Sequence, residues 1–327
     1  MTVTGRPAIS VVVLSYQARS RIDRPLVSLR AQDLAEPYEV IVVDSGRDAC
    51  ADYVSAAYPE VRLVRSEHRL LPGGARNAGI RAARGPCVAF IADDMAARPD
   101  WLRRRLAKHR AGFLAVGGAV VNATPWHPVG AADYYLEYSS VIPSDRTLAT
   151  QAIPHGLSYD RDLFDRLGFF PEDMVTGEDT LFNARLLRAG IAIGVDPGIR
   201  MAHANHVRLR GFLLHHYEHG RGLAQTVERD GLTREIGLRD PLAVRRAIRI
   251  FGIYPLVRWF LGLRSIGRGR PWALPEYLAV TPLLATGLLA TATGAWTESR
   301  ERARGQPRAG APGRPAQHLE SDAREVE

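Results

Sequence analysis

The sequence predicts an α/β fold: a doubly wound, mostly parallel sheet flanked by helices, followed by a C-terminal helical and partly hydrophobic extension. Three observations predict it. Short runs of apolar, largely β-branched residues recur early in the chain, helical patterns separate them, and each run ends on polar residues. Continuous apolar runs suit strands buried on both faces, and alternation with helices makes neighbouring strands parallel.

The first run is Ile9 to Ser15 (ISVVVLS), and Arg24 to Gln32 then fits an amphipathic helix with Leu26 and Leu29 facing inward. Glu39 to Asp44 (EVIVVD) and Pro86 to Ala92 (PCVAFIA) repeat the strand pattern, with helical patterns around Tyr53 and Ala78 between them. Pro99 can open a helix whose Trp101 and Leu102 pack back on the sheet. From Trp101 to about Ile199 helix and strand signals mix, with a further apolar stretch at Phe113 to Val121 and a helical pattern at Thr180 to Leu187. The expected organisation is an α/β domain over 1–239, a basic, aromatic and hydrophobic helical segment over 240–298, and a disordered, charged tail rich in Pro and Gly over 299–327.

With 327 residues, 46% of them hydrophobic, the chain can bury a sizeable core. Two cysteines, Cys50 and Cys87, are too few for a disulfide framework and read as reduced core residues. The stretch Met1 to Ala8 is too short and polar for a secretory leader, so synthesis and folding in the cytoplasm are expected. The formal net charge of +8 is concentrated late, where Arg245, Arg246, Arg249, Arg258, Arg264, Arg268 and Arg270 alternate with Phe251, Tyr254, Trp259, Phe260 and Trp272. Guanidinium groups and aromatic rings in that mixture suit a bilayer interface. No zinc finger, RNP sequence or basic zipper accompanies them, so nucleic acid is not an expected partner.

Sheets of this kind bind ligands beyond the carboxyl ends of their strands, which directs attention to Tyr16, Asp44, Asp93 and Asp94. The turn after the first strand lacks the glycines of a dinucleotide fingerprint. Asp93 and Asp94 are suited to a divalent cation with diphosphate oxygens in its shell; a loop pair capping a helix is the other reading. Asp44 can meet a base or ribose, or close an Asx-turn. The glycine-rich stretch holding Gly73, Arg76 and Asn77 can bring backbone close to a ligand, or serve only as a turn. Glu178 and Asp179 precede a helical pattern, where the helix dipole favours acids and where a general base could equally sit. Of ten histidines, His203, His206, His215, His216 and His219 crowd together. His215 and His219 are spaced to share a helical face and gather zinc, or to form polar helix surface.

Taken in order, VIVVDSG (40–46), GGARNAGIRAARG (73–85), IADDM (91–95), PDWL (99–102), RLGFFPEDMVTGED (166–179), RLLRAG (185–190) and His203 resemble a family 2 glycosyltransferase of the GT-A fold. The resemblance implies an inverting transfer of sugar from a nucleoside-diphosphate donor to a hydroxyl acceptor, with Mg²⁺ or Mn²⁺. It implies Tyr16, Asp44, Asp93, Gly73, Arg76 and Asn77 on the donor nucleotide, Asp94 and His203 on the metal, Asp179 as catalytic base and Glu178 placing the acceptor. Ala92 stands where the family's acidic triplet usually begins with Asp, and Gly156 where many relatives carry Asn.

Tyr277 to Thr297 carries no charge, is flanked by Glu276 and Glu298, and has Tyr277 and Trp296 near its ends. It reads as membrane-attached or as a buried soluble helix. With the Arg-rich stretch, the expectation is attachment at the cytoplasmic face of the cell membrane and a glycan or lipid-linked acceptor. A catalytically impaired nucleotide-sugar-binding protein, or a membrane-surface scaffold, is the alternative.

Overall fold

The computed structural model describes residues 5–143, 156–230 and 246–305. Strand β1 (Ile9–Ser15) is followed by α1 (Asp23–Arg30), β2 (Tyr38–Asp44), α2 (Cys50–Ala57), β3 (Arg62–Arg65), α3 (Pro72–Ala82) and β4 (Cys87–Ala92). This is the alternation predicted, and β1 pairs in parallel with both β2 and β4 while β2 pairs in parallel with β3. Val11, Val12 and Val13 are fully buried, as a strand covered on both faces requires. Leu26 and Leu29 are the buried face of α1.

The later strands depart from a purely parallel sheet. After β5 (Met95–Ala97), α4 (Trp101–Arg110), β6 (Ala115–Asn122), α5 (Pro128–Tyr138), β7 (Ser158–Asp160), α6 (Asp162–Leu167) and α7 (Glu178–Arg188) comes the long β8 (Ile193–His203). The eight strands lie in the order β3-β2-β1-β4-β7-β6-β8-β5, with β4–β7, β6–β7 and β5–β8 antiparallel. Trp101 and Leu102 are fully buried at the start of α4, as expected. Both cysteines are buried and free, and burial pushes each thiol up to about 11.

The chain divides into two units, each built from three stretches. The first comprises Met1–Val121, Pro143–Glu172 and Phe182–His203 and contains the sheet. Its core includes an aromatic cluster in which Phe182 lies 5.0 Å from Phe164, 4.8 Å from Phe170 and 5.3 Å from Tyr159, measured between ring centroids.

The second unit comprises Asn122–Ile142, Asp173–Leu181 and Ala204–Glu327 and is helical. It holds α8 (Leu209–Asp230), a π-helical turn at Ile248–Ile253, α9 (Tyr254–Gly269), α10 (Leu274–Ala279) and α11 (Thr281–Ala303). The boundary expected at 239/240 lies outside the described residues, as does the expected tail from residue 306 onward; its first part, through Ala303, is helical.

The uncharged stretch Tyr277 to Thr297 is not one continuous helix. Among the described residues no single helix is long and apolar enough to cross a membrane; Pro271–Ala279 and Thr281–Ala303 meet that test only as a pair bent by 73°. Its flanks are interior groups. The Tyr277 hydroxyl donates to the Trp259 carbonyl at 2.7 Å, and fully buried Glu298 accepts from Arg221 at 2.8 Å and Gln225 at 3.0 Å.

Candidate functional site

The register of the parallel strands builds the site. Ser15 stands opposite Asp44 across β1 and β2, and Leu14 opposite Ala92 across β1 and β4, so the three strand ends share one edge. Tyr16, Ser45 and Asp93 are the next residues beyond that edge. The Ser15 hydroxyl donates to Asp44 Oδ1 at 2.6 Å, and burial raises the Asp44 carboxyl above its ordinary range while this bond opposes the rise. A small cavity of about 190 Å³ opens beside it, lined by Asp44, Gly46, Cys50, Asp52, Arg65 and Ser66.

Asp93 and Asp94 form the turn between β4 and β5. Asp93 is buried and held by Arg21 through two bonds, Nε to Oδ1 at 2.9 Å and an Nη to Oδ2 at 3.1 Å; the same guanidinium donates to the Tyr16 carbonyl at 3.1 Å. Burial pushes the Asp93 carboxyl up to about 6, against the pull of Arg21 and with a contribution from neighbouring Asp94. Arg69 lies over the Tyr16 ring at 4.4 Å.

The antiparallel pairing of β5 with β8 sets Met95 opposite His203 and so brings the imidazole to the residue before Met95. His203 Nε2 lies 3.3 Å from Asp94 Oδ2. A carboxylate oxygen and an imidazole nitrogen at that separation fit two ligands of one cation, leaving its other positions to phosphate oxygens and water. Asp94 is partly open to solvent while His203 is buried, an arrangement in which one ligand is fixed and the other reachable. These two residues are separated by more than a hundred positions, and the sheet alone joins them.

The glycine-rich stretch has another use. A side chain at Gly73 would place its Cβ 1.8 Å from the Pro171 carbonyl oxygen, so the close approach there is to the chain's own backbone. Asn77 is buried and its amide is committed: Nδ2 donates to the Phe170 carbonyl at 2.9 Å and to Glu172 at 2.8 Å, and Oδ1 accepts the Phe170 N–H at 3.1 Å. Gly73 and Asn77 thus clamp segment 170–172. Arg76, between them on α3, is half-buried, 5.7 Å and 5.6 Å from the Phe90 and Phe170 rings.

In the second unit, Glu178 and Asp179 occupy the first turn of α7, as predicted. Asp179 Oδ1 accepts the Thr180 N–H at 2.7 Å, and Glu178 is buried. Gly177 before them has φ +89°, and a Cβ there would meet Thr226 Oγ1 at 2.5 Å. The tight, left-handed turn fixes how the two acids leave the loop. Arg229 of α8 pairs with Asp173 and anchors the start of the same loop.

Arg21 and Arg69 were not singled out by the sequence. Nothing local marks them: Arg21 meets its partner 72 positions away. A larger cavity, about 780 Å³, lies elsewhere, lined by Arg6, Glu39, Glu60, Arg62 and Arg84 at the opening of β1 and β2. Its carboxylates are engaged by Ser10 and Arg30, and it gathers no cation-binding set.

Comparison with known proteins agrees with the geometry. Residues 10–168 match the family described as Glycosyl transferase family 2. The succinoglycan biosynthesis protein ExoO of Rhizobium meliloti is 30% identical over 207 residues, 58% of this chain and 59% of that protein. The pre-mycofactocin glycosyltransferase of Mycobacterium tuberculosis is 26% identical over 278 residues, 80% of this chain and 54% of that protein. The chain thus spans somewhat more than half the length of these relatives. Among solved structures, the mannosyltransferase PcManGT from Pyrobaculum calidifontis in complex with GDP-Man and Mn²⁺ is similar with a TM-score of 0.58 at 21% identity, covering 89% of this chain and 88% of that one. S. aureus TarS 1-349 in complex with UDP-GlcNAc gives 0.51 at 17% identity, covering 94% and 98%. At these identities the likeness establishes the fold, which is GT-A.

Proposed function

We propose that the chain is a glycosyltransferase of the family whose model matches residues 10–168, and that it transfers a sugar from a nucleoside-diphosphate donor to a hydroxyl group of a glycan or lipid-linked acceptor, with inversion at the anomeric carbon. The observation that carries this reading is the pairing of Asp94 with His203 at 3.3 Å beside a buried Asp93 locked by Arg21. The complexes of the two structural neighbours, one with GDP-Man and Mn²⁺ and one with UDP-GlcNAc, support a nucleotide-sugar donor and a divalent cation.

Asp94 and His203 would hold Mg²⁺ or Mn²⁺. When bound there, the ion supplies positive charge to the diphosphate. Tyr16 and Asp44 flank the base, Gly73, Arg76 and Asn77 serve the donor nucleotide from α3, and Asp93, oriented by Arg21, accepts from the ribose hydroxyls. Asp179 takes the proton of the acceptor hydroxyl as its oxygen bonds to the anomeric carbon, and the bond from that carbon to the β-phosphate oxygen breaks. Glu178 positions the acceptor. The nucleoside diphosphate leaves with the bonding pair.

The test is binding and turnover of a panel of nucleoside-diphosphate sugars with Mn²⁺ or Mg²⁺. Asp94→Ala is expected to abolish metal-dependent binding. Asp179→Asn is expected to bind donor with turnover lowered at least about a hundredfold, the scale of a lost general base. NMR of the product anomer reads inversion directly. Absence of donor binding under either metal overturns the transferase reading and favours the scaffold alternative.

The membrane expectation for 240–298 has a defined face in the arginine-rich and aromatic stretch. Ile253, at the end of the π-helical turn, and Leu256, Val257, Phe260 and Leu261 on α9 are exposed at spacings of three and four residues, with Arg264 and Arg268 beyond them and Trp272 exposed nearby. We propose that this face lies on the cytoplasmic surface of the cell membrane, its rings and aliphatic chains among the headgroups and its guanidinium groups against lipid phosphate.

A further inference from the structure

The histidines that the sequence crowds together are gathered by the second unit into one cluster with two carboxylates. Asp133 and Glu137 are four residues apart on α5, and His215 and His219 four residues apart on α8. Residues at that spacing share a helix face, so each helix presents a ligand pair to the other. The contacts show that the pairs meet: His215 Nε2 is 3.1 Å from Glu137 Oε2, and the His215 ring lies 4.2 Å from that of His219. His206, in the segment following β8, completes the group. Its ring is 4.5 Å from that of His215, and its Nδ1 is 3.1 Å from Asp133 Oδ2, which also accepts the His206 backbone N–H at 2.8 Å.

Two overlapping sets, Glu137 with His215 and His219, and Asp133 with His206 and His215, each bring their ligand atoms within 4.8 Å of one another. A tetrahedral ion with bonds of about 2.0–2.1 Å separates its ligand atoms by roughly 3.4 Å, so small side-chain rotations close the set. Imidazole nitrogen and carboxylate oxygen together select a borderline divalent transition ion and disfavour Mg²⁺ or Ca²⁺. The outer layer is present as well. Asp133, fully buried, pairs with His216 Nε2 at 2.9 Å on one oxygen and orients His206 with the other, the carboxylate–histidine arrangement that fixes a metal-bound imidazole.

We propose that the second unit holds its own divalent transition metal of the zinc type, ligated by Glu137, His215 and His219, with His206 placed for the fourth position. This site is separate from the Asp94–His203 pair and independent of the transfer reaction. Its effect would be to pin α5, α8 and the segment after β8 to one another.

The experiment is metal analysis of the full chain purified without chelator, followed by Co²⁺ titration of the EDTA-stripped protein, read by its visible absorption and by thermal melting. The expected result is stoichiometric transition metal, a tetrahedral Co²⁺ spectrum, and a melting temperature that falls on stripping and recovers on reloading. Asp94→Ala keeps this ion, whereas His219→Ala and the milder His219→Gln weaken it by roughly tenfold to a hundredfold or more. If wild-type protein neither carries nor rebinds a transition metal, the cluster is a hydrogen-bonded network around Asp133 and the proposal fails. An ion lost in Asp94→Ala but kept in both His219 variants assigns the metal to the strand end and also overturns it.

Discussion

At the scale of single residues, Arg105 and His109 show how polar groups are kept inside the first unit. The Arg105 guanidinium is fully buried, and among the described residues no carboxylate pairs with it. It donates instead to the Val116 carbonyl at 2.9 Å, the Gly156 carbonyl at 2.6 Å and the Ser158 hydroxyl at 3.1 Å, and it lies over the Trp101 ring at 4.1 Å. Burial lowers it to about 9. Ser158 then donates its own hydrogen to His109 Nε2 at 2.8 Å, which leaves the proton on Nδ1 to bond the Phe113 carbonyl at 2.8 Å. His109 is thereby fixed neutral, and burial lowers it to about 4 from an ordinary value of 6.5, with Arg105 adding to the effect. A depressed folded-state value means that the unfolded chain takes up the proton first. The stabilisation is full above 6.5 and is lost as pH falls through about 4. Urea midpoints measured across that window should fall for the wild type and fall less for His109→Gln, which keeps an amide at the same place but cannot titrate.

At the scale of elements, the crossing of α8 and α11 is a contact of backbone on backbone. A Cβ at Gly220 would lie 1.9 Å from the Thr291 carbonyl oxygen, and one at Gly294 would lie 1.9 Å from that of Tyr217. Each helix therefore offers its small residue to the other's main chain. Gly294→Val must push the helices apart or distort one of them, a cost of about 1–3 kcal/mol. Its thermal midpoint should drop, while Thr286→Val, on the exposed side of α11, should leave it nearly unchanged. The same elements show what the sequence made legible. Strands β1, β2 and β4 were readable because each carries an uninterrupted apolar run of at least four residues. β3 was not, being a four-residue edge strand with arginine at both ends. β5 and β7 have three residues each, and β8 carries Gly194, Pro197 and Gly198, which read as loop. The acids Asp44, Asp93 and Asp94 were legible as strand ends, and Glu178 and Asp179 as a helix start. Arg21 was not, because its role is set by contacts distant in sequence, and neither was the hold of Asn77 on segment 170–172, because a motif does not say which way an amide points.

At the scale of the whole molecule, a pI near 9.8 and the exposed apolar face of α9 act together. Binding to vesicles containing anionic lipid should be strong at low ionic strength and weaken as salt shortens the screening length toward about 8 Å at physiological strength. Leu256→Asp combined with Phe260→Asp should abolish co-sedimentation while leaving donor binding intact; loss of neither would remove α9 from the membrane reading. The interleaving of the two units has a consequence for biosynthesis. The first unit is completed by Phe182–His203, which leaves the ribosome after two stretches that belong to the second. Until β8 emerges, β5 waits without the strand it pairs with, although β1 to β4 are already synthesised. A nascent chain stalled anywhere before residue 203 thus presents an incomplete sheet, the kind of species that chaperones hold and proteases clear. Single-cut fragments of this chain should behave as such clients, and splitting it into separately expressed halves calls for a break within one of the six stretches, where the complementing pieces can rebuild both units together.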